Sequence, residues 1–183
     1  MNIFRFIEDS LDLFYIQPDT VLCSEKHKVL QLDTEGLAIE GKEITTFKYY
    51  VPDAIKKLIA IPFVYVKIDR PLKAIHSEFA HRHYNTCGYG VHLVSNDIDE
   101  GSVLDGSLFL SAATEITASK KASSHSNSAP YDGFESFDTA IERVSRHISL
   151  RTGDLVTLDL PTICTVENSQ TLNYQELSIS IIF

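Results

Sequence analysis

Between Ile75 and Glu100 the chain gathers most of the side chains that could do chemistry: His76, Glu78, His81, His83, Cys87, His92, Ser95, Asp97, Asp99 and Glu100. Imidazole is both a proton carrier near neutrality and a ligand for transition metals, so spacing decides between the two uses. His81 and His83 are two apart, and on a helix they point about 200° apart around the axis, too far to share one ion. His76 and His83 are seven apart and can share a face, yet two histidines without a third ligand fall short of a metal site. Hydrogen-bonded structural histidines are therefore expected. A nucleophile could come from Cys87 beside His83 or His92, or from Ser95 or Ser102 beside His92, but the chain has no G-x-S-x-G turn to present a strained serine. Cys87 reads as a small buried thiol, and Asp97, Asp99 and Glu100 as solvated acids just past a strand. Metal-free general-base chemistry remains open through His92 with a carboxylate such as Asp97 or Glu78.

Composition limits what these residues could serve. At 183 residues, 44% hydrophobic and 22% charged, the chain suffices for one domain spanning 1–183 and is too short for two comfortable ones. Sixteen Lys and Arg against twenty-five Asp and Glu give a formal charge of −9. That balance repels nucleic-acid backbones and anionic membrane surfaces, and the basic pairs Lys56-Lys57 and Lys120-Lys121 are isolated. Neither nucleic acid nor membrane is an expected partner. Cys23, Cys87 and Cys164 are odd in number and lack C-x-x-C spacing, which suggests neither a disulfide framework nor a thiolate zinc site. The apolar stretch from Met1 to Ile7 is interrupted by Arg5 and too short for a signal-peptide core, and no run of about eighteen apolar residues is present. A cytoplasmic location is the expectation.

The elements that must position these groups are mostly strands. Val64, Val66 and Ile68 alternate with Phe63, Tyr65 and Lys67; Val156, Leu158 and Leu160 alternate with Thr157 and Asp159; Leu177, Ile179 and Ile181 alternate with Ser178 and Ser180. Each reads as a strand with one buried face. Shorter strands are predicted over Lys28 to Asp33, Leu37 to Ile44, Gly90 to Val94 and Leu108 to Ala112. A helix is predicted from Ser136 as its N-cap, with Asp138 in the first turn, Arg146-His147 in the last, and an inward stripe of Phe137, Ala140, Ile141, Val144 and Ile148. A second is predicted over Ile75 to Tyr84, burying Ile75, Phe79 and Ala80. The Ser-, Asn- and Lys-rich stretch 119–135 reads as a mobile surface loop. Phe47, Tyr49 and Tyr50 before Pro52 read as a strand end or a dimer contact.

Four segments carry a resemblance. Phe14-Tyr15-Ile16-Gln17-Pro18-Asp19-Thr20, Phe79-Ala80-His81-Arg82-His83-Tyr84, Asp105-Gly106-Ser107 and Leu150-Arg151-Thr152-Gly153-Asp154-Leu155 follow in order. Together they resemble the strand and turn, the F-A-H-R-x-Y helix, the K-G-x-D-G-S segment and the L-x-x-G-D turn of the fumarylacetoacetate hydrolase family. The likeness covers about residues 13–32 and 61–183. It implies a mainly β, α+β chain with a few helices, a mixed β-sandwich roll, assembled as a homodimer. It also implies a magnesium or manganese ion that chelates a diketo acid and absorbs the charge of the departing enolate. The family's E-x-E pair supplies two ligands, because residues two apart on a strand share a face.

At the corresponding positions the resemblance assigns Ile61 and Phe63 to the E-x-E pair, His92 to the third ligand and Asp97 to the closing acid of that strand. The lysine that binds the substrate carboxylate falls at Ser102, the N-terminal base region keeps Glu8 but no histidine, and G-T-P reads Asp159-Leu160-Pro161. Alkyl and benzyl groups cannot hold a hard divalent cation. The expectation is a homologue without the metal-dependent site and without a metal cofactor, serving a binding, structural or regulatory role as a homodimer or beside an intact paralogue, its small-molecule ligand unnamed. The alternative is a metal-independent hydrolase or decarboxylase of a small keto acid or acylpyruvate, built on His92 with Asp97 or Glu78.

Overall fold

The β-branched and aromatic run Leu58–Ile68 forms the central strand, and the fold is built outward from it. The computed structural model describes residues 46–97, 104, 106–116, 137–160 and 164–183 with their side chains, and 2–7, 10–17, 20–28, 34–39, 42–45 and 134–136 as backbone. The strands are β1 (Asn2–Ile7), β2 (Ser10–Gln17), β3 (Thr20–Lys28), β4 (Thr34–Ile39), β5 (Lys42–Tyr50), β6 (Leu58–Ile68) and β7 (Tyr84–Val94). They continue as β8 (Leu108–Leu110), β9 (Thr114–Glu115), β10 (Leu155–Asp159), β11 (Cys164–Val166), β12 (Gln170–Tyr174) and β13 (Leu177–Ile182), with helices α1 (Ser77–Ala80) and α2 (Phe134–His147).

Two sheets result. The larger runs β3-β2-β1-β10-β6-β7-β8, with β11 also on β6 and β9 on β7. The smaller runs β12-β13-β5-β4 and is antiparallel except for the β13–β5 pair. One face of the larger sheet is covered twice. Over Val64, Val66, Ile68 and Val156 lies α2, through Phe137, Ile141 and Val144. Over Leu58, Ala60, Val91 and Leu93 lies the smaller sheet, through Leu177, Ile179 and Ile181. The opposite face carries its own cluster of Phe63, Tyr65 and Leu155, with Leu108 and Leu110 packed against it. The chain is thus mainly β with few helices.

Several expectations need correcting. Strand β6 has two buried faces rather than one, because Phe63 and Tyr65 are as buried as Val64 and Val66. The alternation in β10 fails for the same reason: Leu155 and Thr157 are buried alongside Val156. By contrast, β13 alternates buried and half-buried residues as the sequence alone suggests. The region Leu37 to Ile44 takes in the end of β4 and the start of β5, which pair antiparallel with Ile39 opposite Lys42. Helix α2 starts at Phe134, so Ser136 is inside it rather than capping it, but its stripe of Phe137, Ala140, Ile141 and Val144 is buried. Beyond Lys28, which ends β3, the strand expected to Asp33 lies outside the described residues, as do 119–133 of the expected loop, whose last two residues belong to α2.

The helix expected over Ile75 to Tyr84 shrinks to Ser77–Ala80, and Phe79 is exposed while Ala80 is buried. Tertiary hydrogen bonds hold its flanks in other shapes. Before it, the Ala74 N–H donates to the Ser145 carbonyl (2.8 Å), the Ile75 N–H to Ser145 Oγ (3.1 Å) and the Ser77 N–H to Glu142 Oε2 (2.8 Å). After it, Tyr84 is already paired with Ile68 in the sheet. A four-residue helix has little stability of its own, so the contacts with α2 and β6 decide.

Candidate functional site

Antiparallel pairing places directly opposed side chains on the same face of a sheet. Ile61 of β6 is opposite His92 of β7, Phe63 is opposite Gly90, and Tyr65 is opposite Gly88. In the next strands Leu108 is opposite His92 and Leu110 opposite Gly90, while Asp159 is opposite Phe63 and Thr157 opposite Tyr65. Ile61, Phe63 and His92 therefore meet on one face, bordered by Leu108 and Leu110. Phe63 is 1% exposed and His92 3%, whereas Asp159 at the edge is exposed.

The rings on this face lie on glycines. A Cβ added at Gly90 would stand 2.1 Å from Phe63 Cζ and 2.4 Å from Cε2, and one at Gly88 would stand 2.6 Å from Tyr65 Cζ. Such distances require bare glycine under each ring. The signal was present: F-x-Y on one strand and G-x-G on its neighbour. The Tyr65 hydroxyl donates to the Ser111 carbonyl at 2.9 Å, and burial pushes its phenol up to about 12.

The other candidate groups are dispersed. Asp97 Oδ2 accepts the N–H groups of Lys56 (2.8 Å) and Lys57 (3.0 Å), and these bonds hold its carboxyl below the ordinary carboxylate range. Ser95 donates to the Lys57 carbonyl and accepts the Asp97 N–H. This pair fastens the turn after β7 to the start of β6. Glu78 is in α1 before β7, whereas His92 is the ninth residue of that strand, roughly 26 Å of extended chain beyond its start. Cys87 lies on the α2-facing core side of β7, and His92 on the opposite face, so no Cys–His pair forms between them. His76 sits 3.8 Å from Glu142 and His83 Nδ1 is 3.2 Å from the Arg70 carbonyl, so these two engage different partners. Ser102, Asp99, Glu100, Asp105 and Glu8 lie outside the described residues. Ser107 is buried, and its carbonyl accepts the Leu93 N–H at 2.9 Å.

The L-R-T-G-D segment has a clear architectural use. Gly153 has φ +95°, Asp154 is buried, its Oδ2 accepts the Arg151 N–H at 2.8 Å, and the turn joins β6 through Gly153 N–H to Ile68 carbonyl. Glu142 serves similarly for α1: the Ser77 N–H, followed by Arg146, keeps its carboxyl below the usual range. Neither use needed chemistry at a site, and neither was evident from local spacing.

Ile61, Phe63 and His92 do not fit a hard divalent ion. Together they offer no carboxylate, and the one donor type among them is imidazole. Among the described residues no group of three or more His, Cys, Asp or Glu is placed to hold a metal. No described helix is long and apolar enough to cross a membrane.

No family model and no curated protein matches the chain by sequence. Solved structures do match its fold. Fumarylpyruvate hydrolase from Pseudomonas aeruginosa, solved with Mn2+ and pyruvate, aligns with TM-score 0.65 and 16% identity over 91% of this chain and 80% of its own. A protein from Yersinia pestis CO92 assigned to the fumarylacetoacetate hydrolase family aligns with TM-score 0.54 and 16% identity over 75% of this chain and 78% of its own. The 5-carboxymethyl-2-hydroxymuconate delta-isomerase from Mycobacterium smegmatis aligns with TM-score 0.52 and 11% identity over 100% and 98%.

Proposed function

We propose, from the premise that this chain has the fumarylacetoacetate hydrolase fold, that it is a non-catalytic homologue with a binding, structural or regulatory role. The observation that carries this reading is the meeting of Ile61, Phe63 and His92 on one sheet face with the Phe63 ring seated on Gly90. The resemblance puts the oxygen ligands of a divalent metal at these positions, whereas the side chains here are an alkyl, a benzyl and an imidazole group. The metal-free alternative gains nothing from the geometry: Asp97 is engaged by two backbone amides and Glu78 is distant along the chain from His92.

The reading includes a cytoplasmic homodimer, or a pairing with an intact paralogue. Purified protein at micromolar concentration, incubated with an acylpyruvate and Mn2+, is expected to leave the substrate's absorbance unchanged beyond the buffer rate. Turnover that saturates with substrate and disappears on His92→Ala would overturn the reading. Light scattering on the same preparation reads the assembly, and a mass of one chain would remove the homodimer from it.

A further inference from the structure

The mismatch between the fold and its expected ion goes further than missing ligands. Three atoms of the Phe63 ring would lie 2.1, 2.4 and 2.8 Å from a Cβ at Gly90, so the far end of the ring takes the space that a side chain there would need. Tyr65 repeats the arrangement one step along on Gly88, with ring atoms at 2.6, 2.6 and 2.8 Å. Leu108 and Leu110 pack against the pair from β8, and Leu155 from β10. Phe63, Tyr65 and Leu155 are exposed by only 1%, 3% and 4%.

We infer that Phe63 is a plug: its ring occupies the space over Gly90 on the face shared by positions 61, 63 and 92, and it excludes divalent cations from that face, which is apolar apart from His92 and half-buried at Ile61, Leu108 and Leu110. The inference rests on the placement of those three positions described under the proposed function, but not on the absence of activity. A hydrated Mg2+ or Mn2+ brought there would lose its water, and the face would offer it imidazole and hydrocarbon in return. The glycines are part of the plug, because a side chain at either would have to displace a ring.

Two measurements test this. Mn2+ added to isotopically labelled wild-type protein is expected to leave the Phe63 ring and His92 signals sharp, with any broadening confined to exposed acidic residues. Saturable broadening centred on Phe63 and His92, reversed by excess Mg2+, would overturn the inference. In the second, Gly90→Ala is expected to lower Tm by about 5 °C or more in wild type and by much less in a Phe63→Val background. Equal losses in the two backgrounds would show that the ring does not occupy the glycine seat. Should Phe63→Val fail to fold, the Mn2+ experiment on wild type still decides. Turnover without broadening would sink the non-catalytic reading and spare the plug, while broadening without turnover would do the reverse.

Discussion

A single glycine can be required for two different reasons, and the chain uses both. Gly90 needs its missing Cβ because a ring occupies that space, whereas a Cβ at Gly153 would meet nothing within 4 Å and the constraint is φ +95°. Gly153→Ala is therefore expected to cost about 1 kcal/mol through backbone strain alone, measured by urea denaturation. The reverse case is Gln175, which holds φ +52° in the hairpin between β12 and β13. Gln175→Gly is expected to stabilise the chain by up to about 1 kcal/mol in the same assay, since glycine enters that region without a Cβ penalty. Both effects are local to the turn, and a change in the slope of the urea transition would point elsewhere.

At the level of elements, two carboxylates replace what local sequence fails to supply. Glu142 in α2 caps the N-terminus of α1, and Asp97 ties the turn after β7 to the start of β6. Both carboxyls are held below their ordinary range, Glu142 first by the Ser77 N–H and Asp97 first by the Lys56 N–H. A depressed folded value means that the contribution is present above the unfolded carboxylate range, near pH 4, and fades as pH falls through the lower folded value. Glu142→Gln and Asp97→Asn should each lower Tm at pH 7, and the difference from wild type should start to shrink near pH 4 and close only below the lowered folded value. A difference that persists unchanged at low pH would assign the effect to packing rather than to charge.

For the molecule as a whole, tyrosines mark where the layers close. Tyr89 of the larger sheet meets Tyr174 of the smaller edge-on at 5.9 Å between ring centroids. The Tyr84 hydroxyl donates to Asp138 of α2 at 2.9 Å. Burial pushes the Tyr65 and Tyr174 phenols up to about 12 and raises Tyr84 as well. These groups favour the fold while neutral. Their contribution is complete below the unfolded phenol value near 10 and is lost as pH climbs toward the folded values. An absorbance titration at alkaline pH should show a delayed class of phenols that ionises together with loss of β-sheet circular dichroism. A single unperturbed class would contradict the buried placement of Tyr65 and Tyr84.

The sequence by itself determined the mainly β character, the amphipathic face of α2 and the fold resemblance, because these depend on periodicity and on the order of short motifs. Alternation in β13 was legible since one face meets a core and the other is more open. The same rule gave one buried face for β6, where the two faces are both covered and period-two reading has nothing to separate. The residues Ile61, Phe63 and His92 could be named from motif spacing, but their sharing of one face depended on a β6–β7 register that no local signal sets. The length of α1, the capping by Glu142 and the seating of Phe63 on Gly90 were decided by tertiary structure alone. Each depends on a partner supplied by a different element, and a chain read one residue at a time does not reveal which partner will be brought alongside.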